Sequence, residues 1–339
     1  MVNYLAIDSK HLQIEHGILG GVTYFETYET GELKSVKLNE KNLILTYAGE
    51  LIPAFTETTR RKNKPALEFF ESGLTKAVVL EEQTEVETPI GTLPSEYITF
   101  YPSGEIHRVF ITDGKISGFW SEEEEKKCGV PLSFELGFAK FTAYLSGICF
   151  FRSGCIKSIT LYPGEHIEVM TPAGKLEART GFSMYETGKL ESVEPFSSVL
   201  VNTPIGKLTA YDPEAIGIHA DSNSLQFDKE GRLTGLSTVQ NRILAQTPRE
   251  EFVIMRPVKA VHPLYDDIWI QLPMKVNFDY ESDTVSVQSD IQRKFSMALT
   301  KFTIQEIQSE KIECSPADCA ACSLCGSKNE MMNPVGRKL

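Results

Sequence analysis

The chain has no long hydrophobic run. None of its apolar stretches approaches the roughly 18 residues a membrane-spanning helix requires. Its first residues, MVNYLAIDSKHLQIEHG, lack the basic start and apolar core of a secretory signal. Neither membrane insertion nor export is therefore expected, and the expected compartment is cytoplasmic. Basic residues are also in deficit: 34 Lys and Arg stand against 46 Asp and Glu, for a formal charge of −12. That balance opposes binding to nucleic-acid phosphates or anionic lipid, so neither is an expected partner. The one basic cluster, Arg60-Arg61-Lys62, is expected to cap a solvated loop. The common catalytic signatures are missing too: there is no G-x-S-x-G, no G-x4-G-K-S/T, no G-x-G-x-x-G and no H-E-x-x-H. Helix signals are scarce, the best being Ser121 to Lys127, where a serine precedes four glutamates that suit a helix N-terminus.

What the chain has instead is a phrase that returns. YETGELKSVKL from Tyr28 is echoed by FESGLTKAVVL from Phe70, YPSGEIHRVFI from Tyr101, FRSGCIKSITL from Phe151 and YETGKLESVEP from Tyr185; a looser copy, FDKEGRLTGL, starts at Phe227. An aromatic, two residues and a glycine describe a tight reversal between two strands, because glycine takes positive φ without steric cost. Gly31, Gly73, Gly104, Gly154 and Gly188 are the predicted hinges. After each hinge, the second residue (Leu33, Ile106, Ile156, Leu190) and the small fourth one (Ser35, Ala77, Ser158, Ser192) share a parity, whereas Val36, Val78, Val109, Ile159 and Val193 fall on the other. A β-bulge at the small residue, resetting the register, is the expected resolution. The parity also leaves Lys34, Lys157 and Glu191 exposed, which opposes edge-to-edge pairing.

A second phrase follows three of the hinges: VETPIGTL from Val86, VMTPAGKL from Val169 and VNTPIGKL from Val201. Thr-Pro-x-Gly suits a type I turn with proline second and glycine fourth. Two hairpins per unit are the consequence, and recurrence in successive copies favours a structural turn over a ligand loop. The expected fold is all-β: a stacked antiparallel β-hairpin repeat array, solenoid-like or an extended twisted sheet. It occupies residues 1–246, followed by a small β-rich domain or cap at 247–310 and a Cys-rich tail at 311–339. The stretch Gln246-Thr-Pro-Arg-Glu-Glu is expected to be the linker.

The segment FYPSGEIHRVFITDGKISGFW, Phe100 to Trp120, resembles MORN-type repeats and the MORN-variant antitoxin-like group, with paired aromatics, a turn glycine, a second Gly-Lys turn and a closing Gly-aromatic. The resemblance spans residues 20–240. It implies stacked β-hairpins and association with a protein or membrane rather than catalysis. Here the hinge glycines are spaced 42, 31, 50 and 34 residues apart, wider than in that group.

Chemistry concentrates at the C-terminus. Of seven cysteines, four fall in CSPADCAACSLC, placing Cys314, Cys319, Cys322 and Cys325 as C-x4-C-x2-C-x2-C. Thiolates two residues apart can face one metal centre. The overlapping C-x2-C steps resemble the ligand run of bacterial-type ferredoxins, although the fourth cysteine lies upstream and no Cys-Pro closes the run. A 4Fe–4S cluster is the first candidate cofactor, zinc the second and no bound metal the third. Zinc ranks lower because Cys322 would have to serve two knuckles. Cys128, Cys149 and Cys155 are expected to be buried small apolar residues. His166, beside Glu165, and His219, near Asp221, are weighed as general bases or metal ligands. Surface or turn placement is preferred for both, since strand neighbours point to opposite faces.

These readings predict a non-enzymatic interaction or scaffold protein that binds a protein partner and carries a four-cysteine metal site. The alternative is an iron–sulfur electron-transfer accessory whose β array docks on a partner enzyme.

Overall fold

In a computed structural model, residues 4–307 are described, apart from 9, 15–16, 216–219 and 263–264. They are nearly all β and centre on one 16-stranded antiparallel sheet that does not close into a barrel. Three short strands come first, β1 (Tyr4–Ala6), β2 (Leu12–Ile14) and β3 (Gly17–Leu19), as a separate small sheet. Hairpin β4 (Val22–Thr27) and β5 (Leu33–Leu38) opens the main sheet. It is followed by the two-stranded β6 (Ile44–Thr46) and β7 (Gly49–Leu51). The main sheet continues with β8 (Leu67–Phe69), β9 (Thr75–Thr88), β10 (Gly91–Phe100) and β11 (Ile106–Phe110). After α1 (Glu122–Lys126) comes the separate hairpin β12 (Leu132–Leu136) and β13 (Ala139–Ala143). The main sheet resumes with β14 (Leu145–Phe150), β15 (Ile156–Leu161), β16 (Ile167–Thr171), β17 (Gly174–Met184) and β18 (Leu190–Pro195), before the separate pair β19 (Val199–Thr203) and β20 (Gly206–Ala210). Next are β21 (Leu225–Phe227) and β22 (Leu233–Thr238) in the main sheet, then β23 (Asn241–Gln246) and β24 (Phe252–Met255), and the pair β25 (Val258–His262) and β26 (Tyr265–Leu272). Strands β27 (Met274–Asp279), β28 (Thr284–Gln288) and β29 (Gln292–Ser296) complete the main sheet, and β30 (Lys301–Glu306) joins β23 and β24 in a three-stranded sheet.

Each hinge closes in the same way. In β10–β11 the Tyr101 amide donates to the Glu105 carbonyl at 2.8 Å and the Gly104 amide to the Tyr101 carbonyl at 2.9 Å, with Gly104 at φ +103°. The β27–β28 turn is built differently: Asp279 Oδ1 accepts from the Glu281 and Ser282 amides, and Asp283 takes φ +50° without being glycine. The hinge tyrosines also tie hairpin to hairpin. The hydroxyls of Tyr28, Tyr101, Tyr185 and Tyr280 donate to the carbonyls of Phe69, Phe150, Phe227 and Leu233 at 2.8–2.9 Å.

The expected bulge is present in every hinge hairpin of the repeated phrase, one residue before the small position. Leu33 opposes Thr27 and Ser35 opposes Glu26, which leaves Lys34 as the extra residue; Lys76, His107, Lys157 and Glu191 are its equivalents. The reset puts Val36 on the apolar face. One cross-strand ladder then runs Val36, Leu67, Val78, Ile98, Val109, Ile148, Ile159, Phe182, Val193, Leu225, Leu236, Val276 and Val287. Every member is at most 3 % exposed.

The Thr-Pro-x-Gly hairpins supply the second layer of this core. Strands β9 and β10 leave the main sheet's register between Tyr97 and Ser95, and their far ends contribute Val86 and Leu93 to the same apolar cluster as the ladder. Val169 and Leu176, and Val201 and Leu208, do the same from β16–β17 and β19–β20. Phe138 and Phe141, from β12–β13, stack edge-on against Phe182. The turn threonines are structural. Thr88, Thr171 and Thr203 each donate to the carbonyl of the closing glycine and accept an amide two residues on, and Thr46 does so in an unflagged Thr-Tyr-Ala-Gly turn.

The main sheet crosses residue 246 without a break, because β22 pairs directly with β27. Gln246–Glu251 is not a linker: it is the turn of β23–β24, closed by Thr247 and Glu250 at φ +60°. The short helix expected at Ser121–Lys127 forms over Glu122–Lys126, and Ser121 caps it in a capping box. Ser121 accepts from the Glu124 amide, and the Glu124 side chain returns to the Ser121 amide.

Candidate functional site

The ladder next to the apolar one faces the other way and is small and polar. It runs through Ser35, Glu68, Ala77, Thr99, Arg108, Cys149, Ser158, Ser183, Ser192, Gln226, Gly235 and Asn277. Residues two further along each strand share this outer face, among them Phe110, Thr160, Gly181 and Glu194. Small residues here let other chain segments lie flat on the sheet. Segment 220–224 does so: the Ala220 amide donates to Thr160 Oγ1 at 3.1 Å, and a β-carbon at Gly181 would lie 2.8 Å from that of Ala220.

Two charged groups sit under and beside this segment. Asp221 receives a guanidinium hydrogen bond from Arg108 and a hydroxyl hydrogen bond from Ser158. Burial pushes its carboxyl up, but Ser158 and Arg108 together outweigh that and hold it below the ordinary range. Cys149, flanked by Arg108 and Ser158 in the ladder, is fully buried, and burial raises its thiol pKa, so it is not poised as a nucleophile.

The second group is built where the sheet is locally broken. Between Arg179 and Phe182 the β17–β18 register shifts, with Thr180 at φ +60° and Gly181 at φ +136°. The bulge opens a polar cavity of about 140 Å³ lined by Thr180, Glu194, Asp212, Ser224, Lys275 and Asn277, among others. Glu194 is 1 % exposed, and its oxygens accept from the Ser224 amide at 2.8 Å and the Ser224 hydroxyl at 2.9 Å. Arg179 stays 3.9 Å away, its guanidinium committed to the Asp212 carbonyl. Desolvation therefore wins, and the Glu194 carboxyl is pushed up to about 7. Such a group holds or releases a proton near neutrality.

A third cluster is structural. Arg60 lies across two carboxylates, Glu96 and Glu125, each 4 % exposed, and Glu125 also accepts from Trp120 and the Gly114 amide. The expected solvated loop at Arg60 is thus a largely buried ion cluster. The reason is that Glu96 points inward at the irregularity between Ser95 and Tyr97 and needs a countercharge.

The predicted metal ligands Cys314, Cys319, Cys322 and Cys325 lie outside the described residues, as does His219. Among the described residues no group of three or more His, Cys, Asp or Glu side chains is placed to hold a metal. His166 does not meet Glu165, which instead binds Lys126 and the Tyr144 amide; His166 faces Glu177 at 3.8 Å. Cys149 is buried as expected, Cys128 is half-buried, and Cys155 is exposed because it follows the hinge glycine into the turn. Glu194 and Arg108 were missed as site residues, yet Arg108 breaks the repeated phrase by putting charge where the other copies carry Ser, Ala or Gly, and Glu194 is the one acidic residue at a position held elsewhere by Lys37, Val79, Phe110, Thr160 and Ser237. Asp221 was noticed only as a neighbour of His219. Comparison with family models, with curated proteins and with solved structures returned no match.

Proposed function

We propose that the chain is a non-enzymatic interaction scaffold that binds a protein partner in the cytoplasm and carries a four-cysteine metal site, a 4Fe–4S cluster in the first place, on its C-terminal tail. The observation that carries the partner half is the outward face of the β24-β23-β30 sheet. Alternation sends Ile243, Ala245 and Met255 into the core and leaves Phe252 and Ile254 outward, 72 % and 60 % exposed, beside Leu244. Among the described residues β24 is an edge strand, paired with β23 alone, so its backbone edge and its apolar side chains suit an added extended segment.

The test is capture from the source organism with full-length protein and a Phe252→Asp, Ile254→Asp variant of matched circular dichroism. A specific protein retained by the wild type and lost by the variant supports the reading. An identical set of bound proteins overturns it. The electron-transfer alternative separates by whether the tail's metal can be reduced and reoxidised.

A further inference from the structure

The outer-face cavity has walls of opposite charge, and the interaction role does not use it. Its floor is made small by the ladder: a β-carbon at Gly235 would lie 2.9 Å from both Asn277 Oδ1 and Gln226 Oε1, so only glycine leaves these amides their place. On one side stand Glu194 and Asp212; on the other stand Lys275 and Asn277, both solvent-exposed. Glu194 is buried with one residue, Ser224, supplying its hydrogen bonds, and its nearest cation, Arg179, is at 3.9 Å. Among the described residues the Lys275 ammonium and the Asn277 amide have no hydrogen-bond or ion-pair partner. A carboxylate short of countercharge and a free ammonium thus face one small space.

We propose that this cavity binds a small zwitterion of the α-amino-acid class, its ammonium toward Glu194 and Asp212 and its carboxylate toward Lys275 and Asn277. The size agrees: the cavity measures about 140 Å³, and a cavity of ~150 Å³ holds benzene, so roughly six to eight non-hydrogen atoms fit, the range from alanine to threonine. The charges agree as well. An anion alone would leave Glu194 uncompensated and a cation alone would leave Lys275 unused, whereas a zwitterion serves both. Because the ligand's ammonium favours the ionised carboxylate, binding at neutral pH displaces a proton from Glu194.

The test is titration calorimetry of the full chain at neutral pH with alanine, serine and threonine, in two buffers of different ionisation enthalpy. Their methyl esters, which lack the carboxylate, and N-acetyl forms, which lack the ammonium, are the controls. The expected result is saturable binding of a zwitterion with Kd below ~1 mM and net proton release. Either blocking group and Lys275→Ala should each weaken it at least about tenfold, and Glu194→Gln should abolish the proton release. Lys275 is exposed, so its variant keeps the fold. No heat from any of the three at ~10 mM, equal binding of the blocked forms, or unchanged affinity in Lys275→Ala would overturn the proposal.

Discussion

Replacing Glu194 by glutamine should make the protein more stable at alkaline pH and leave it unchanged in acid. The carboxyl is 1 % exposed and titrates near 7, against 4.5 for an unburied glutamate. The folded state therefore holds its proton when the unfolded chain has already lost it. Below pH 4.5 both states are protonated and nothing is lost; as pH rises from 4.5 through 7, stability drains away. At about 1.36 kcal/mol per pH unit the wild type has lost ~3 kcal/mol by pH 8. Glutamine imitates the protonated acid, since its carbonyl can accept from the Ser224 amide while its NH2 donates to the Ser224 hydroxyl. Urea unfolding of the two proteins at a series of pH values gives the difference directly, because every other titrating group is shared. The curves should coincide near pH 4 and diverge in favour of the variant by ~3 kcal/mol at pH 8. A difference that does not change with pH, or a variant less stable at pH 8, would refute the burial argument.

Other perturbations have different signatures. Arg60→Ala strips the shared countercharge from Glu96 and Glu125 and should cost ~3–5 kcal/mol in urea unfolding. Burial raises the Glu125 carboxyl, but Arg60 and Trp120 hold it below 4.5, so the wild-type cluster's contribution is present above that pH and lost as pH falls below it; an Arg60→Ala protein with unchanged acid sensitivity would contradict this. Phe182→Ala removes the ladder's central aromatic and its contacts with Phe138 and Phe141, for a loss of ~3–5 kcal/mol by the same assay. Tyr101→Phe deletes one hairpin-to-hairpin bond and should cost only ~1 kcal/mol; a loss as large as that of Phe182→Ala would mean the tyrosines, not the ladder, hold the array together.

Much of this architecture was legible because its turns are spelled out locally. Aromatic-x-x-Gly and Thr-Pro-x-Gly each encode a backbone conformation within four residues, and the conflicting parity of Ser35 and Val36 disclosed a bulge. The same reasoning failed where the conformation is set by tertiary packing. Asp283 and Glu250 take positive φ without being glycine, so the hinge after Tyr280 and the β23–β24 turn went unseen, the latter passing for a linker. The site failed for another reason. Arg108 on β11 meets Asp221, and Glu194 on β18 meets Ser224, only because the segment before β21 folds back over the outer face of the sheet. Arg60 was misjudged likewise, since the carboxylates that bury it lie 36 and 65 residues away.

The central claim is that an interaction scaffold carries a metal centre on its cysteine tail, and metal content tests it most directly. Iron and zinc should be measured on full-length protein purified without oxygen, beside a Cys319→Ser, Cys322→Ser variant. The account predicts about four irons per chain in the wild type, lost together with the visible chromophore in the variant. One zinc in place of iron, or neither metal in the wild type, would contradict it.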